Sequence, residues 1–146
     1  MQIIMATDYA VRSLLYLTLI GRMAPASEVS ERMGIPKQYL VTMSRKLKDA
    51  GMLSSAPGAA GGYFLARPAG EISLLDIMQV TEGTMNLNRC ADHSKRCDHF
   101  GVDNCPVRDV YTELQNTVEE LLGGVTLADL ASRIEKSGPC TAQDMT

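Results

Sequence analysis

The chain has 146 residues, 45% of them hydrophobic, with no Trp and only two Phe, which suits one domain or a small domain with an appended element and excludes obligate disorder. Net charge is −3, but residues 1–70 hold eight Lys/Arg against four Asp/Glu (+4) and residues 71–146 hold six against thirteen (−7), so a basic half can face a polyanion while an acidic half faces elsewhere. The apolar run LLYLTLI at 14–20 is far short of the roughly 18 residues a membrane span needs.

Ala24-Pro25-Ala26 faintly resembles a signal-peptide cleavage site, but Asp8 lies upstream and Arg12 is the sole basic residue before the apolar run. The expectation is a soluble, cytoplasmic chain with no membrane partner. In a reducing cytosol, clustered cysteines are more often metal ligands or redox centres than structural disulfides.

In chain order, residues 4–22 read as one long helix, apolar at Ile4, Val11, Leu14, Leu15 and Leu19, with Asp8 and Arg12 spaced to pair along it. A short helix follows over SEVSERMG. Then comes GIPKQYLVTMSRKLKDAG, where Pro36 fits a first turn and Gly51 a C-terminal cap. Leu40, Met43, Leu47 and Ala50 form an inward stripe, and the opposite face carries Lys37, Gln38, Val41, Thr42, Arg45 and Lys46, with Tyr39 beside them. Two helices joined by a tight Met-Gly-Ile turn, the second basic and amide-rich outside, have the pattern of a recognition helix. A solvated helix has the same face, and the next segment tips the balance. MLSS and YFLAR are short strands around the Gly-rich APGAAGG, a β-hairpin wing. Gly61 and Gly62, ahead of Tyr63, are expected to take positive φ and let the backbone approach DNA closely. Arg67 suits a phosphate contact or plain solvation. The fold class is mainly α with a small β-hairpin wing, a winged helix-turn-helix over 1–70.

Residues 71–136 form a second region. Ser73 with Asp76 is a capping-box variant opening a helix that Gly83 closes. From Pro106 a helix carries Val107, Val110, Tyr111, Leu114, Val118, Leu121 and Leu122 in one stripe, longer than a small domain needs. Part of it is expected to pack on a second subunit, making this a C-terminal dimerisation helix. A closing helix over 126–135 has Thr126 as N-cap, and 137–146 has the composition of a disordered tail.

Between these helices lies CADHSKRCDHFGVDNC, with Cys90, Cys97 and Cys105 separated by six and seven residues and His93 and His99 between them. A disulfide framework, a zinc site and an iron–sulfur cluster all remain open. No close Cys-x-x-Cys pair, usual in structural zinc sites, is present. A cluster normally takes four protein ligands, and Cys140, the one further cysteine, lies 35 residues on in the tail, a bystander. There is no nucleotide loop, acid/base constellation or nucleophile motif, so an enzyme is not expected.

ATDYAVRSLLYL, YLVTMSRKLKDAGML, APGAAGGYFLARPAGEISLLDIMQVTEG and the late VTLADL together resemble the Rrf-two family of bacterial transcription regulators, over roughly residues 1–135. The resemblance implies homodimers on palindromic double-stranded operators, and for many members an iron–sulfur cluster on three cysteines in this loop. One branch, with a two-iron cluster, has a His ligand three residues after its third cysteine; here that position is Arg108, which cannot ligate. A nitric-oxide-sensing branch uses an Asp in the first helix, donated across the dimer to a four-iron cluster, and Asp8 stands at the matching place. Both cysteine gaps are longer here than is usual in those relatives. The implied site is therefore Cys90, Cys97 and Cys105 with Asp8, holding a 4Fe-4S or 2Fe-2S cluster. The alternatives are a thiol- or metabolite-responsive regulator of the same family without a cluster, and a non-regulatory iron–sulfur or zinc protein.

Overall fold

The computed structural model describes residues 4–83, 86–87 and 105–137. Six helices and one hairpin follow in the order α1 (Met5–Ile20), α2 (Ala26–Met33), α3 (Lys37–Asp49), β1 (Leu53–Ala56), β2 (Gly62–Leu65), α4 (Leu74–Glu82), α5 (Pro106–Gly123) and α6 (Leu127–Ser137). A single 3₁₀ turn over Ala69–Glu71 leads into α4.

The helix-turn-helix is α2 and α3. Gly34 ends α2 at φ 63°, a left-handed conformation that glycine adopts without strain, and Ser30 Oγ donates to the Ile35 carbonyl across the turn. Pro36 then caps α3 with its carbonyl, which accepts from the N–H groups of Tyr39 (2.9 Å) and Leu40 (3.1 Å). Leu40, Met43 and Leu47 are buried as their spacing predicts. The strands pair antiparallel in the register Leu53↔Leu65 to Ala56↔Gly62, each shifted by a residue or more from the sequence expectation. On α2, the Arg22 guanidinium and then the Tyr16 hydroxyl, both bonded to Glu28, hold its carboxyl below the usual range and tie α1 to α2.

α1 departs from the expected stripe. Leu14 is buried, but so are Ala10 and Leu17, while Ile4 and Leu19 are exposed. The sequence there is apolar on nearly every side, so its period cannot select a face. The neighbours do: α1 packs against α2, α3, α4 and α6, and the side facing them is buried even where it carries Thr7 and Ser13.

Both predicted caps of the second region are present. Ser73 and Asp76 form a full capping box at α4 (Asp76 N to Ser73 Oγ 3.1 Å, Ser73 N to Asp76 Oδ2 2.9 Å). Thr126 and Asp129 repeat it at α6 (Thr126 N to Asp129 Oδ2 2.9 Å, Asp129 N to Thr126 Oγ1 3.2 Å), and the bonds from Thr126 lower the Asp129 pKa. The two helix starts are stitched together, Leu74 N donating to Val125 O (2.9 Å) and Leu127 N to Ile72 O (3.0 Å). Consequently Ile72, Ile77 and Leu127 join Leu14, Val29, Leu40 and Leu47 in one core that crosses the 70/71 boundary. Among the described residues no helix is long and apolar enough to cross a membrane. Residues 138–146 of the tail lie outside the described residues.

Candidate nucleic-acid interface

The outward face of α3 is polar and open. Lys37, Gln38, Tyr39, Thr42, Arg45 and Lys46 are all exposed, as is Val41. The Thr42 hydroxyl donates to the Gln38 carbonyl of its own helix (3.1 Å), which leaves the oxygen's acceptor capacity unused by that bond. Tyr39 is held from the side by Tyr9 of α1 in an edge-on contact, ring centroids 6.0 Å apart. A cavity of about 70 Å³ lies beside this pair, reaching Met43, Lys46 and Thr81. No local pattern marks Tyr9 as a support of this face, because a contact between α1 and α3 has no sequence spacing.

In the wing, the backbone conformation expected of the glycines needs correction. Neither Gly61 nor Gly62 has positive φ; the left-handed glycine of the hairpin is Gly58, at φ 98°. The close approach is real but internal: a Cβ on Gly61 would collide with the backbone of Ala56 and Pro57, and one on Gly62 with the backbone of Ala24 and Pro25. Tyr63 is half-buried, and its hydroxyl lies 3.0 Å from Ser44 Oγ on α3. Lys48, which the outward stripe omits, extends the basic row toward the hairpin with its Nζ 3.3 Å from Ser55 Oγ. It lines a polar groove of about 380 Å³ between the start of α2 and the wing. Arg67 turns the other way, toward Asp76 (3.7 Å).

Of the cysteine set, Cys105 is described: it is buried and occupies the N-cap of α5. Cys90, Cys97, His93, His99 and Cys140 lie outside the described residues. Asp8 forms the expected pair with Arg12 (2.8 Å), both side chains about half exposed. Among the described residues no three His, Cys, Asp or Glu side chains gather to hold a metal. The ends of the cysteine segment are nevertheless well tied. Before it, Thr7 Oγ1 donates to Glu82 Oε1 (2.8 Å) and sits 2.7 Å from Thr81 Oγ1, joining the last turn of α4 to the first of α1. Further on, Leu87 N donates to Oε1 of the buried Gln115 on α5 (2.9 Å). The apolar row of α5 faces away from the core, with Val107 50%, Val110 63%, Leu114 48% and Leu121 67% exposed.

A helix-turn-helix whose second helix keeps a polar, cation-bearing face open beside an antiparallel hairpin defines a winged-helix DNA-binding regulator. Comparison with known proteins places it further. Residues 4–133 match the Rrf2 family pattern, described as "Iron-dependent Transcriptional regulator", and the chain belongs to that family. It is 29% identical over 138 residues to the HTH-type transcriptional regulator IscR of Xenorhabdus nematophila, covering 93% of this chain and 82% of that one. Its fold is similar to that of CymR, the global cysteine regulator of B. subtilis (TM-score 0.77, 24% identity, 92% of this chain and 98% of that one). The fold is also similar to that of IscR of T. potens (TM-score 0.75, 24% identity, 100% of this chain and 97% of that one). The chain is thus a transcriptional regulator and not an enzyme.

Proposed function

We propose that this regulator is a cytoplasmic homodimer that binds a palindromic double-stranded operator and reports redox, nitric oxide or iron–sulfur status through an iron–sulfur cluster. On DNA, Gln38 and Thr42 read base edges with Lys37 and Tyr39 beside them, Arg45 and Lys46 meet phosphates, and the wing at Gly61, Gly62 and Tyr63 lies along the backbone. The observation that carries this half is the open polar face of α3, whose apolar side is fully used within the chain.

Cys90, Cys97 and Cys105 are the proposed ligands, with the partner subunit's Asp8 as the fourth; the cluster is 4Fe-4S or 2Fe-2S. Two features support the fit. Cys105, a soft sulfur donor, is buried where the cysteine segment meets α5. Among the described residues the Asp8 side chain pairs with Arg12 at the surface, worth a few tenths of a kcal/mol, so ligation has little there to displace. When bound, the cluster supplies a centre sensitive to oxygen and nitric oxide. The chain's own part is mechanical: Cys105 caps α5 and Gln115 holds Leu87 against it, so a change at the thiols reaches the helix that carries the exposed apolar row.

Strictly anaerobic purification, with iron and sulfide counts, an absorption spectrum and salt-dependent binding to duplex DNA, tests both halves. The expected result is a coloured dimer that loses its spectrum on Cys90→Ala, Cys97→Ala or Cys105→Ala. Asp8→Ala should still assemble a cluster and lose it faster, and Cys140→Ala should change nothing. A colourless protein that still binds its operator would leave the cluster-free regulator. If His93→Ala or His99→Ala abolishes the spectrum while Asp8→Ala is silent, the segment supplies its own fourth ligand.

A further inference from the structure

We infer that Tyr63 and Ser44 are positioning residues of the DNA interface: their hydroxyl contact sets the angle of the wing against the recognition helix. The inference rests on the reading that α3 and the wing bind DNA, and it reassigns Tyr63 from a contact to a brace.

The geometry fixes β2 at its start from two sides. On one side its backbone is paired with the connection before α2, Tyr63 N donating to Ala24 O (2.8 Å) and Ala24 N to Tyr63 O (3.0 Å). Gly62 permits this, since a Cβ there would strike the Ala24 carbonyl group. On the other side the Tyr63 ring crosses to α3, where its oxygen lies 3.0 Å from Oγ of Ser44. Ser44 is itself 2% exposed, and its hydroxyl also donates to the Val41 carbonyl (2.9 Å) one turn back. It follows Met43 on the buried side and precedes Arg45 on the open side, so the brace ends on the helix that carries the reading face.

Charge makes this brace matter for binding. From Ala50 to Ala66 the chain has no Lys, Arg, Asp or Glu. A wing with no cation of its own gains nothing from the Coulomb attraction that seats basic segments on phosphates. Its place on the duplex is therefore set by how it is held to α3, and the Gly and Ala residues of its tip leave a profile narrow enough for a minor groove of about 6 Å.

The test uses the full-length chain and an operator selected by it from random duplex DNA. Tyr63→Phe keeps the ring and removes the hydroxyl; Ser44→Ala removes the other end. Each single variant should keep the wild-type melting temperature within a few degrees. Each should lower operator affinity about 2- to 10-fold, the span of one hydrogen bond. In hydroxyl-radical footprints, protection under the wing should fade while base protection under α3 persists. The double variant should lose no more than either single one, because both remove the same contact. Wild-type affinity and footprint in Tyr63→Phe, or additive losses in the double variant, would overturn the inference while leaving the DNA-binding reading intact. Should Tyr63→Phe fail to fold, Ser44→Ala alone decides by the same footprint. A wild-type chain that selects no duplex at all would overturn the reading and the inference together.

Discussion

Helices α3 and α5 are both amphipathic, and they dispose of their apolar sides in opposite ways. α3 sends Leu40, Met43 and Leu47 into the core and leaves lysines, an arginine and a glutamine outside. Among the described side chains of α5 only Gln115 is buried, while Val107, Val110, Leu114 and Leu121 stand open along one side. A helix that satisfies its apolar side within the chain has its polar face free for a ligand. A helix that leaves an apolar row in water calls for another surface to cover it, and a self-complementary row suits a two-fold axis. The comparison fits the proposed division of partners, DNA for α3 and a second copy for α5.

The sharpest way to break this contrast is at α5. Leu114→Asp together with Leu121→Asp would bury unpaired charge at a subunit contact, at a cost of several kcal/mol. Sedimentation should then show a monomer, or the chain should unfold, and operator affinity should fall by at least about 100-fold. A wild-type chain that sediments as a monomer at micromolar concentration would remove the reason for the contrast.

At α3 the corresponding change acts within one subunit. Leu47→Ala should cost about 2–5 kcal/mol in urea unfolding, because it opens a cavity in a closed core. For a dimer the comparison is made at one fixed protein concentration. Leu121→Ala should instead act through subunit association, raising the protein concentration needed for dimerisation with little effect on the packing within each chain. If the two variants behaved alike in both measurements, α5 would be an ordinary surface helix.

The smallest effects should come from the open face of α3. Arg45→Ala should weaken every sequence alike and reduce the slope of log K against log salt by about 0.9. Gln38→Ala should cost about 1–3 kcal/mol of discrimination at the base it reads and leave binding to unrelated DNA unchanged. Wild-type affinity and preference in both variants would show that this face is not the one that reads.

What could be read from the sequence was whatever has a local rule. Caps follow such rules, so Pro36, the Ser73–Asp76 box, Pro106 and Thr126 mark their helix starts correctly. The inward stripe of α3 was legible because polar residues flank it. α1 was not, since LLYLTLI is apolar all round and its neighbours α2, α3, α4 and α6 determine which side is covered. For Gly61 and Gly62 the residue type announced a close approach, and the chain's own backbone makes one at each that no local pattern names. The Tyr63–Ser44 contact spans 19 positions between a strand and a helix, and no spacing pattern encodes such a pair. Of the proposed site, the α3 face stands exposed as expected, whereas for the cysteines the described residues place Cys105 alone.

The stitch between Ile72 and Leu127 has a consequence for synthesis. Leu127, fully buried, fills the core of a DNA-binding half whose other parts are made much earlier. A nascent chain emerges amino end first, so the helix-turn-helix and the hairpin are out of the ribosome while one side of α1 still lacks its cover. That half closes only after α5 and the first turn of α6 have also emerged. A truncated translation product that stops short of α6 is therefore left with an unfinished core and makes a poor competitor for DNA, so the order of synthesis itself favours occupancy by chains made to the end of that core.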